Sequence, residues 1–165
     1  MPTPSWLSLD DAEFISKGLS ISLASRDLRH VPSIARGLAC CFSTDGCQLV
    51  VLLSRRQNQD LLRDITASGQ LAVVFTEPSS HRTLQIKGSD AWIAPLEQGD
   101  LGLLSASRRN FGADILPLGF DEAFNRRLFA NDPDDLCRVL MTPTDVFQQT
   151  PGANAGQRIG PAPCS

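Results

Sequence analysis

LSISLAS, from Leu19 to Ser25, alternates apolar and small polar residues as a half-buried strand does. The RDLRHVP turn returns the chain into a second run, Pro32 to Phe42, that ends at STDGC. Its Asp45-Gly46 dipeptide is a strong hairpin signal, and QLVVLLS, Gln48 to Ser54, answers the strand before it. RRQNQDLLRDITASG then places Leu61, Leu62 and Ile65 on one helical face, with Gly69 as a C-terminal stop. QLAVVFT, Gln70 to Thr76, is continuously apolar and predicts a strand buried on both faces. After the EPSSH turn, RTLQIKGSDAWI puts Leu84 and Ile86 on one side and Thr83, Gln85 and Lys87 on the other, and Gly88 predicts a bulge.

The remaining segments are less regular. A helix is predicted from about Asp10, and from about 95 to 135 LEQGDLGLLSASRRNFG and FDEAFNRRLF read as short helices separated by the Pro117 and Gly119 region. This stretch is expected to be an excursion without a core of its own. LCRVLMTPTDVFQQ, Leu136 to Gln149, predicts one returning strand, and the Gly-, Pro- and Ala-rich tail from about 155 to 165 is expected to be loose. Six strands mostly in hairpin order, with helices between them, predict a mainly β fold: a small antiparallel barrel in a single domain over residues 1–165, closed so that its apolar strands leave no long edge.

Composition narrows the function. Hydrophobic content of 42% and charge content of 20% are ordinary for a globular chain, and a net charge of −3 argues against nucleic acid as a partner. No apolar run approaches a membrane span and no secretory leader pattern opens the chain, so a cytoplasmic protein without membrane contact is expected. The five cysteines, Cys40, Cys41, Cys47, Cys137 and Cys164, form no CxxC pair, and His30 and His81 have no second ligand at useful spacing. Buried thiols and no metal site are the expectation. There is no tyrosine, neither histidine has a placed partner, and no residue pattern identifies a general acid or base, so the catalytic residues are unassigned.

Arg36 is a charge on an apolar strand face. Strict alternation from Ile34 sets it on one face with Leu38, Cys40 and Phe42, where an unpaired guanidinium is costly unless it reaches water or meets an anion. A carboxylate such as Asp27 or Asp90 is one candidate anion, and a ligand is the other. Ser54, Arg55 and Arg56 stand at a strand-to-helix junction, whose unpaired N–H groups and positive dipole end suit a phosphate. Pairing of these arginines with Asp60 or Asp64 is the alternative.

The order LSISLASRD, PSIARGLACCF with its DG turn, LVVLLSRRQNQDLLRDITASGQLAVVF and RTLQIKG resembles the pyridoxamine 5'-phosphate oxidase-like, FMN-binding split barrels over about Leu19 to Trp92. The resemblance implies a six-stranded antiparallel split barrel, with the helical insertion following the fifth strand, that forms a homodimer and binds FMN at the subunit interface. It implies Arg36 near the flavin phosphate or ring, Ser54, Arg55 and Arg56 at the phosphate, and Thr83 beside the flavin. Gln85 and Lys87 join that set by alternation alone. DVFQQTPGANAG resembles a tail that closes over the cofactor in flavin-binding relatives. The Trp- and Arg-rich C-terminal segment and the paired lysines of the B6 oxidases proper are missing, so an FMN-dependent oxidoreductase acting on another substrate is expected. A non-catalytic flavin or haem-type binding or sensing module, and a cofactor-free dimeric interaction barrel, are the competing readings.

Overall fold

The computed structural model describes Pro4 and residues 6–160. Ser8 caps the first helix, α1 (Leu9–Ile15), by accepting the Asp11 N–H, and the helix buries Ala12, Phe14 and Ile15. The Phe14 ring alone contributes about 2–3 kcal/mol by leaving water. Then follow β1 (Ser20–Arg26), β2 (Pro32–Gly37), β3 (Ala39–Phe42), β4 (Leu49–Ser54), a 3-10 turn (Arg56–Asn58) leading into α2 (Gln59–Ser68), β5 (Leu71–Thr76), β6 (Thr83–Gly88) and β7 (Trp92–Ala94). The helical excursion holds α3 (Asp100–Ile115) and α4 (Glu122–Leu128), and β8 (Leu136–Met141) and β9 (Asp145–Gln148) complete the fold. Gly69 ends α2 at φ 65°, a left-handed cap that glycine adopts without strain.

The described residues form nine strands, not six, in two antiparallel sheets ordered β2-β1-β5-β6-β9 and β3-β4-β8-β7. The difference arises where the chain passes from one sheet to the other. Gly37 still pairs with Ile21 in the five-stranded sheet, while the Leu38 N–H already donates to Leu52 O of β4 at 2.8 Å. A Cβ on Gly37 would lie 2.7 Å from Ile21 Cγ2 and 2.9 Å from Val51 Cγ1, so the crossing requires glycine. Gly88 marks a second crossing instead of the expected bulge, since it remains in register with Leu71 before the chain leaves for β7. Pro143, which has no N–H to donate, lies in the break that divides the expected Leu136–Gln149 strand into β8 and β9.

The crossing at Leu38 also corrects the expected strand face. Cys40 and Phe42 turn inward to join Ala35 in the main core, whereas Arg36 and Leu38 stay on the outer side. β5 departs from expectation as well: it alternates, with Leu71, Val73 and Phe75 inside and Ala72 and Val74 half-buried outside. The strands covered on both faces are β4 and β8.

Between the sheets, Ile21, Leu23, Val51, Leu53, Val73, Phe75, Leu84, Ile86 and Val139 pack with α1 and α2. The excursion, which follows the seventh strand, does contribute to a small core of its own: Phe111, Ile115 and Phe129 close over Leu38 and Leu136. The tail folds back beside β9, with Ile159 N–H donating to Val146 O at 2.8 Å and Gly156 N–H to Gln148 O at 2.7 Å. Residues 161–165, including Cys164 and the end of the tail expected to be loose, lie outside the described residues. No helix among those described is long and apolar enough to cross a membrane.

Candidate functional site

Arg36, Thr83, Gln85 and Lys87 are brought to one surface, the outer face of the five-stranded sheet. The register sets Arg36, Ser22, Val74, Gln85 and Phe147 in one row across β2, β1, β5, β6 and β9. The next row holds Ile34, Ala24, Ala72, Lys87 and Asp145. Ser22, Ala24, Ala72 and Val74 thus make a floor of small side chains flanked by larger, polar or charged ones. Three inter-strand spacings separate Arg36 from Gln85, about 14 Å.

Arg36 carries the site's unusual chemistry. Its guanidinium lies over the Phe111 ring at 5.4 Å and the Phe129 ring at 5.7 Å. Burial pulls its pKa below the ordinary arginine value. No ion pair among the described residues involves it. Asp27 is instead engaged by the N–H groups of Arg29 and Val31, and Asp90 by the Thr142 N–H. Arg36 Nε is buried without a hydrogen-bond partner. Ring contacts answer the charge in part, and this in-plane donor has no acceptor among the described residues.

Ser54, Arg55 and Arg56 are placed otherwise. The anion at this junction is Asp135: Ser54 Oγ and the Arg56 N–H, the latter at 3.0 Å, donate to its carboxylate. The Arg55 N–H donates to its backbone carbonyl at 2.7 Å, and Arg56 Nε stands 3.6 Å from the carboxylate. The Ser54 hydroxyl, followed by the Arg56 N–H and the charges of Arg56 and Arg55, holds the Asp135 carboxyl below its ordinary range against the opposing effect of burial. Arg63, not Arg55 or Arg56, pairs with Asp60 and Asp64. β2 packs against this 3-10 turn, so Arg36 and the arginine pair belong to neighbouring elements.

On β6, Thr83 Oγ1 meets Thr76 Oγ1 at 3.1 Å and its N–H donates to Thr150 Oγ1 at 2.9 Å. Gln85 Oε1 accepts from Gln149 Nε2 at 3.3 Å, and Lys87 Nζ stands 4.7 Å over the Phe147 ring. The QQTP segment therefore lies along the edge of the candidate face. The small floor, Asp135 and the two phenylalanines were not identified from sequence. The floor had a signal in the outward small positions of LSISLAS and QLAVVFT. The other three contacts join residues far apart along the chain.

A cavity of about 530 Å³ on the four-stranded sheet, lined by Cys41, Trp92, Leu140 and Arg138, differs in charge. There the buried arginine is already answered by Glu97 and Asp100. The described residues hold no His, Cys, Asp and Glu cluster suited to a metal, and burial pushes the Cys40 and Cys137 thiols up in pKa.

No family model and no curated protein matches the chain by sequence. Its fold matches HupZ of Group A Streptococcus at a TM-score of 0.54 and 13% identity, covering 91% of this chain and 100% of that one. It also matches a pyridoxamine 5'-phosphate oxidase-related, FMN-binding protein of Nostoc punctiforme at 0.53 and 15%, covering 98% and 100%. An F420 reductase matches at 0.51 and 20%, covering 81% and 93%. The chain therefore has the split-barrel fold of the pyridoxamine 5'-phosphate oxidase-like proteins.

Proposed function

We propose that this chain binds a flavin, FMN foremost, on the outer face of the five-stranded sheet, and acts as an oxidoreductase on a substrate other than the vitamin B6 phosphate. The observation that carries the reading is Arg36: a half-buried guanidinium with no ion pair among the described residues and an unpartnered Nε, beside a floor small enough for a flat ring to rest on. The fold shared with an FMN-binding protein supports it.

In this reading Arg36 holds the phosphate, and Ser22, Ala24, Ala72 and Val74 support the ring and keep water from its underside. Gln85 reaches the polar edge of the ring, and Lys87 favours negative charge there. Thr83 sets the rim through Thr76 and Thr150. Arg55 and Arg56 add a positive field near the phosphate, partly balanced by Asp135. The bound flavin supplies hydride or electron transfer, while the protein supplies binding, orientation and electrostatics.

We assign the functional unit as a homodimer with flavin at the subunit interface. Ile34, 78% exposed next to Ala24, supports this, as do the exposed Leu28 and Val31 along the same edge. Non-catalytic binding of the same cofactor is the second reading, favoured by the engagement of Thr83 and Gln85 with the protein's own groups.

The visible spectrum of the purified protein, incubated with FMN and desalted, tests the reading. A retained flavin band is expected. A Soret band on isolation, or no retained flavin, would overturn it.

A further inference from the structure

At the β1–β2 turn end of the same face, a groove of about 350 Å³ is lined by Arg26, His30 and Lys87 above Ala24 and Ala72. We infer that this groove is a second anion site, one that takes the carboxylate or phosphate group of a small acidic ligand. The site stands on these side chains whether or not a flavin binds, but Ala24, Ala72 and Lys87 also belong to the proposed flavin face, so the two ligands compete at this end.

The groove's lining contains no Asp or Glu, in a chain whose net charge is −3. Neighbouring carboxylates are engaged elsewhere: Asp27 by the N–H groups of Arg29 and Val31, Asp145 by Arg158 at 3.0 Å, and Asp90 by the Thr142 N–H. The polar floor is satisfied internally, since Ser25 Oγ donates to Gln70 O at 2.7 Å. Arg26, His30 and Lys87 make no ion pair among the described residues. Gathering basic side chains around one concavity is unfavourable unless salt screens them or an anion joins them. Arginine and lysine supply charge-assisted donors, and imidazole supplies a further N–H. The volume lies at the small end of ligand sites, which fits a phosphate ester headgroup or a short dicarboxylic acid.

The two histidines, His30 and His81, give a direct readout. His30 lines the groove, while His81 is exposed in the turn before Thr83, at the opposite end of β6 from Lys87 and Gly88, which line it. We expect inorganic phosphate or succinate, added at constant ionic strength to flavin-free full-length protein, to shift the His30 imidazole signals saturably and leave those of His81 unmoved. Arg26→Gln and Lys87→Gln should each weaken the binding about tenfold. Tighter binding of phosphate identifies the ligand as a phosphate ester, and tighter binding of succinate identifies a carboxylic acid.

A response still linear at about 50 mM, equal responses of both histidines, or affinity unchanged in both variants would mean an adventitious ion only and would overturn the site. If FMN but not riboflavin displaces phosphate from His30, the anion site stands and the flavin phosphate belongs here, not at Arg36. Failure of flavin to bind at all would leave the phosphate result intact.

Discussion

Arg36→Met keeps the length of the side chain and removes its charge, which separates a ligand-binding role from a structural one. Without flavin, the variant loses the contacts to Phe111 at 5.4 Å and Phe129 at 5.7 Å, together about 1–2 kcal/mol. It also removes a buried donor that has no partner, a relief of about 1–3 kcal/mol. The two effects offset, so the flavin-free stability should change by less than about 1 kcal/mol, a Tm shift within about 2–4 °C for a chain of this size. With FMN, loss of a charge-assisted contact to phosphate should cost about 1.5–3 kcal/mol, raising Kd about 10- to 150-fold. Riboflavin affinity should barely move. Thermal melts of both proteins with and without FMN read these quantities together, because a ligand bound only by the native state stabilises it according to its saturation. Early unfolding of flavin-free Arg36→Met, by about 3 kcal/mol or more, would reveal a stranded partner charge within the protein and rule out a ligand-binding role for Arg36.

Other expected outcomes test individual links. Gly37→Ala should destabilise by about 1–3 kcal/mol in urea unfolding, because its Cβ would press on Ile21 and Val51, and a change within about 0.5 kcal/mol would mean that the sheet crossing is looser than described. The folded-state pKa of Asp135 lies below its unfolded value, so its stabilising contribution is complete above about pH 5 and is lost as pH falls through the folded pKa. The Tm gap between wild type and Asp135→Asn should therefore close toward acid, and a gap that widens there contradicts the assignment. Arg55→Gln, at an exposed position with no ion pair among the described residues, should cost less than about 1 kcal/mol, through its weaker field on Asp135, and weaken FMN more than riboflavin. Equal losses for the two flavins, measured by titration, would remove Arg55 from the phosphate's surroundings.

The alternation of LSISLAS and RTLQIKG, the Asp45-Gly46 turn and the Gly69 stop were legible because each depends on residues close in sequence. The sheet crossings were not. At Gly37 the period of two continues in the sequence while the backbone changes sheets, so Cys40 and Phe42 enter the core although simple counting leaves them beside Arg36. The apolar run of β5 misled for a related reason: Ala72 and Val74 look like core residues but form part of the outer floor. Arg36 stood out as a charge needing an answer, and its phenyl partners come from Phe111 and Phe129 in an excursion with no pattern linking it to β2. Asp135 was hidden likewise, since only the pairing of β8 with β4 carries it to Ser54.

Whether Arg36 holds a flavin through its phosphate is read by titrating FMN and riboflavin in parallel with flavin-free protein and following the quenching of flavin fluorescence. Saturable binding of both is expected, with FMN at least about tenfold tighter, the value of one charge-assisted contact. Equal affinities would contradict the phosphate assignment, and no saturation of either by about 1 mM would contradict flavin binding itself.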